Sequence, residues 1–98
     1  MISLKREESN SYNFLEALVD VRFKIPTAAE AEELLEEQLK DTELFKKFVL
    51  NVRSEGIEGW ENGTDPATVV ESPATLGLVR IVALDIVNSI KVDVSRKK

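Results

Sequence analysis

The side chains able to do chemistry here are carboxylates, lysines and arginines, because the chain has neither cysteine nor histidine. Without cysteine there is no disulfide, thiolate nucleophile or zinc-thiolate site. Without histidine there is no imidazole base, Ser-His-Asp triad or imidazole metal ligand. The densest set of candidates is acidic. Between Ala28 and Lys46 stand Glu30, Glu32, Glu33, Glu36, Glu37, Asp41 and Glu43, against Lys40 and Lys46. Paired carboxylates can serve acid–base catalysis. Their spacing instead puts these on the polar side of an amphipathic helix, with no converging partner, and that is a solvated face. A basic cluster, Arg96, Lys97 and Lys98, ends the sequence. It reads as a solvated tail or as a minor contribution to a larger basic surface. No glycine-rich phosphate loop or metal-ligand spacing is present, so no catalytic, metal or cofactor residue is expected.

The elements that must position these groups fit in one domain of 98 residues, 43% hydrophobic and 32% charged, with a net charge of −5. The acidic segment carries that charge, so the chain is poorly suited to bind nucleic acid alone. Met1 to Asn13 lacks the apolar core of a signal peptide. Arg80 and Asp85 interrupt the only long apolar run, so no membrane span is expected. A cytoplasmic setting follows as the default for a cysteine-free chain, and Asn62-Gly63-Thr64 is then a turn rather than a glycosylation site.

Residues 1–13 are mixed and aperiodic and read as a flexible arm; 14–94 form the domain and 95–98 the basic tail. From Ala17, apolar Val19, Val21, Phe23 and Ile25 alternate with Asp20, Arg22 and Lys24, the pattern of a strand buried on one face. Pro26 stops it. Thr27 with Glu30 matches a capping box, predicting a helix to about Phe45 with Ala31, Leu34, Leu35, Gln38 and Leu39 inward. Phe48 to Arg53 reads as a second strand. That strand either runs on through Trp60 to turn at Asn62-Gly63, or the chain loops out and rejoins near Ala67. Trp60 is either a cap over one end of the core or an interface anchor. Ala67 to Glu71 reads as a third strand.

Ser72-Pro73 then opens the longest apolar block, Leu76 to Val94. Leu76, Val79, Ala83, Ile86 or Val87, Ile90 and Val94 fall at helical spacing, although the Val and Ile content also suits a strand. Leu78, Ile81, Val82 and Leu84 widen the stripe beyond one packing surface, so a helix here is buried on more than one side. One side would be its own sheet and the other a partner protein. The expected architecture is α+β: a βαββα order, with a three-stranded antiparallel sheet and two helices on one face. Such a small sheet leaves edges that a second copy or a relative can pair.

These features resemble the Pcc-type small subunit of the KEOPS complex, which makes threonylcarbamoyl-adenosine in tRNAs reading codons that begin with A. The resemblance rests on size and element order, and on the charged alternating strand at 19–27 with its Ile25-Pro26-Thr27 end. It rests also on Glu55-Gly56 after the second strand, and on Val79-Arg80 and Ile90-Lys91 in the last helix with Asn88-Ser89 between them. The sequence departs from the family pattern at Ile81-Val82-Ala83-Leu84, in the longer loop from Gly56 to Pro66, and in the extra N-terminal arm, as a diverged paralogue would. In that family two subunits pair through sheet edges, and their helices bundle against the catalytic threonylcarbamoyl-transferase subunit. The resemblance thus implies a non-catalytic assembly subunit whose partners are a Pcc-type paralogue or a second copy, and the transferase. Leu76, Val79, Arg80, Ala83, Val87, Ile90 and Lys91 would be its interface, and tRNA would be met only weakly or indirectly. A stand-alone acidic adaptor is the other reading of the same composition.

Overall fold

The computed structural model describes residues 4–90. Three strands, β1 (Glu7–Phe14), β2 (Ala17–Lys24) and β3 (Val49–Arg53), form an antiparallel sheet in the order β1-β2-β3. Four helices accompany it: α1 (Ala28–Glu36), α2 (Asp41–Phe48), α3 (Pro66–Val70) and α4 (Leu76–Asn88), the last entered through a 3-10 turn at Pro73–Thr75. The fold is α+β, and its order is ββααβαα rather than βαββα.

The expected alternation of β2 is present. Val19, Val21 and Phe23 are fully buried, while Leu18, Asp20 and Arg22 face solvent. The buried residues meet Leu44, Phe45 and Phe48 of α2, Val69 of α3 and the inner face of α4 in one cluster. The core therefore lies on one side of the sheet, under the helices, and the other side is open.

Three readings need correction. Residues 7–13, expected within a flexible arm, form β1 together with Phe14 and pair with β2 along its whole length, from Glu7 opposite Lys24 to Phe14 opposite Ala17. The helix expected to run to Phe45 is broken: α1 ends at Glu36, Gln38 to Lys40 are irregular, and α2 begins at Asp41. Ala67 to Glu71 is not a strand. Asp65 accepts a hydrogen bond from the Thr68 amide at 2.8 Å and Pro66 takes the first turn, so a short helix forms there.

The capping box at Thr27 is made in both directions, 3.2 Å from the Glu30 amide to the Thr27 hydroxyl and 3.0 Å from the Thr27 amide to the Glu30 carboxylate. Ser72 accepts from the Ala74 amide and opens the path into α4 as expected. Beyond β3 the chain loops out and returns through a bridge between Thr64 and Val52, with both backbone bonds made.

Candidate interaction surface

The surface is built from α4 and β1, which lie together. Gly77, Leu78 and Ile81 in the first half of α4 border a groove of about 310 Å³ with Tyr12 to Leu15. Asp85 and Asn88 in the second half, with Ser89 just after it, border Glu8 and Asn10. Helix and strand thus run in opposite directions, with α2 on the other side of α4.

One polar tie fixes this arrangement. Tyr12 donates its hydroxyl hydrogen to the Asp85 carboxylate, and Asn10 donates to the same oxygen at 3.4 Å. Burial pushes the Tyr12 pKa well above the usual tyrosine value, and the hydrogen bond to Asp85 adds to the rise.

The β1–β2 connection sets which backbone groups of β1 face outward. Its two turn residues, Leu15 and Glu16, have φ of 51° and 64°, the left-handed pair of a two-residue hairpin. Phe14 and Ala17 are then a hydrogen-bonded pair, and alternate residues of β1 bond to β2. The Ile25 amide donating to the Arg6 carbonyl at 2.8 Å continues that phase. Glu7, Ser9, Ser11 and Asn13 therefore direct their N–H and C=O groups outward. Among the described residues, no strand takes this edge.

The sequence-derived interface residues divide. Val79 and Ala83 are each 1% exposed and belong to the domain's own core, together with Leu78, Val82 and Ile86. Leu76 at 46% and Val87 at 40% are on the surface. Arg80 is exposed near Asp41, 3.8 Å away, beside a shallow groove between α4 and the start of α2. Ile90 is half-buried just past the end of α4. Lys91, Val94, Arg96, Lys97 and Lys98 lie outside the described residues.

The stripe through Leu76, Val79, Ala83 and Ile86 or Val87 holds three residues of the inner face, Val79, Ala83 and Ile86, but not buried Leu78 and Val82 or two exposed residues. Ile81, 48% exposed, flanks the β1 groove, and Leu84, 57% exposed, stands on the outer face one turn further on. The over-wide apolar run was their signal. Leu15 at the hairpin tip is exposed as well; nothing in a Leu-Glu pair announces a turn.

The acidic residues do not converge. Glu30 accepts from the Thr27 amide and pairs with Lys24 at 3.0 Å; the backbone hydrogen bond first, and the lysine second, keep its carboxyl below the usual value. Glu33 reaches Lys47 at 3.7 Å. Among the described residues, no group of three or more acidic side chains is placed to hold a metal ion. Trp60 caps one end of the core: its ring stacks on Phe14 with centroids 6.4 Å apart, and its carbonyl accepts from the Ser54 and Gly63 amides. No described helix is long and apolar enough to cross a membrane.

Comparison of the chain with protein-family models, with curated proteins and with solved structures finds no match.

Proposed function

We propose that this chain is a non-catalytic assembly subunit that pairs with a second copy or a close relative and docks a larger protein through its helices. The observation that carries the reading is the position of the exposed apolar residues of α4 above a free sheet edge. Strand pairing at β1 would bring a second α4 alongside the first, so that one two-fold arrangement satisfies the outward backbone groups and covers Ile81 and Leu84. Leu76, Arg80 and Val87, on the flank towards α2, would remain for another partner.

By the resemblance of 19–27, Glu55-Gly56, Val79-Arg80 and Ile90-Lys91, the complex is KEOPS and the larger protein its catalytic threonylcarbamoyl-transferase subunit. Tyr12–Asp85 and the β1 hairpin are not part of that resemblance, and the ββααβαα order, in place of the expected βαββα, does not support it. The motifs and the two docking surfaces do.

The test is light scattering during size-exclusion chromatography, followed by affinity purification of the tagged chain from its own cells. The expectation is a dimer that Ser11→Pro and Leu84→Glu each convert to a folded monomer. Ser11 directs its N–H away from β2, so proline there removes an outward backbone donor, together with the exposed hydrogen bond from the Ser11 hydroxyl to Asp20. A monomer at every concentration would overturn the pairing, and absence of the transferase from the purified material would overturn the assignment to KEOPS.

A further inference from the structure

The helix α1 is joined to the domain differently from the others. Of its residues only Ala31 is buried, and Ala31 is not part of the core cluster, which draws on α2, α3, α4 and the sheet. Leu34 is half-buried at the margin of that cluster, and Leu35 is largely exposed. Few contacts link α1 to other elements.

Nine residues are too few for a helix to persist alone in water. Apart from Ala31 and Leu34, what holds this one is polar: the capping box at Thr27, the Lys24–Glu30 ion pair at 3.0 Å, and the longer Glu33–Lys47 pair between exposed groups. Pro26 precedes it, and Gln38 to Lys40, which follow it, are irregular.

We propose that Ala28–Glu36 is a strap that opens and closes as a unit while the rest of the domain stays folded. Opening leaves the core intact, because the core is complete without it. The strap is the part of the molecule free to change conformation when another protein docks nearby.

Residue-resolved amide hydrogen exchange on the full chain, repeated in sub-denaturing guanidinium, tests this. The amides of α1 should be at least about 100-fold less protected than those of α4, with exchange nearly independent of denaturant, as for a local opening that exposes little surface. Their chemical shifts should still be helical. Glu30→Gln should lower protection in α1 several-fold and leave α4 unchanged. Three results would each overturn the proposal: α1 sharing the protection and denaturant dependence of α4, Glu30→Gln lowering both helices equally, or coil-like shifts in α1.

Discussion

Replacing Tyr12 by phenylalanine removes one oxygen from the join between β1 and α4. The Tyr12 hydroxyl is the main donor to the half-buried Asp85 carboxylate, and the remaining donor, Asn10, sits at 3.4 Å. A hydrogen bond to a charged group contributes about 1.5–3 kcal/mol net, and partial exposure of this pair places it near the lower limit. Tyr12→Phe should therefore destabilise by about 1.5 kcal/mol at neutral pH, read as a lower urea midpoint with an unchanged slope. Asp85→Asn keeps an acceptor and should cost less.

The same bond predicts a pH dependence. The folded state raises the Tyr12 pKa above the ordinary value of about 10, so it favours the neutral phenol. Its contribution is fully present below that pH and is lost as pH rises beyond it, because only the unfolded chain then releases the proton easily. Tyr12 is the one tyrosine in the chain, so tyrosinate absorbance reports this group alone. Folded protein should resist ionisation until it unfolds, while the chain in concentrated urea titrates near the ordinary value. A simple titration near pH 10 in folded protein, or Tyr12→Phe with wild-type stability, would refute the tie.

On α4, Val79→Ala removes buried methyl groups and leaves a cavity, at a cost of about 2–3 kcal/mol; Leu84→Ala, on the surface, should stay within about 0.5 kcal/mol. Equal losses in chemical denaturation would show that the inner face has been misassigned. Gly63 has φ +93°, and an added Cβ would lie 2.6 Å from the Asn51 side-chain oxygen, so Gly63→Ala should destabilise by about 1–2 kcal/mol. Gly77 is helical with open space around it, and Gly77→Ala should stabilise by up to about 1 kcal/mol in the same assay.

Where one signal dominated, the residues were readable. The period of two in β2, the reciprocal capping pair at Thr27 and Glu30, and Ser72-Pro73 each correspond to a physical requirement that the chain meets locally. β1 was not readable for the converse reason. Its inward residues Glu8, Asn10, Tyr12 and Phe14 are mostly polar, since they face the margin of the helix layer rather than its centre. Leu15-Glu16 supplies the left-handed turn without the Asn or Gly that usually marks one. At α3 the start signal was in plain view, Asp65-Pro66 being the same kind of pair as Ser72-Pro73. The β-branched run of Thr68, Val69 and Val70 suits a strand, but the Asp65 cap and the packing of Val69 into the core outweigh that propensity in the fold.

The phase of α4 is a different matter, because a helix apolar most of the way round does not carry its own orientation. The neighbours set it: α2 takes the side of Val79 and Ala83, and β1 takes the side of Leu78 and Asp85 through the Tyr12 bond. This changes which substitutions can inform on function. A charge at Val79 or Ala83 would be buried without a partner, unfolding the domain and abolishing any binding with it. A charge at Leu84 or Ile81 stays in water in the isolated chain and meets apolar surface only if another molecule covers it. Loss of pairing with stability retained at Leu84 would therefore be evidence for an interface, whereas loss at Val79 would be evidence only for a core.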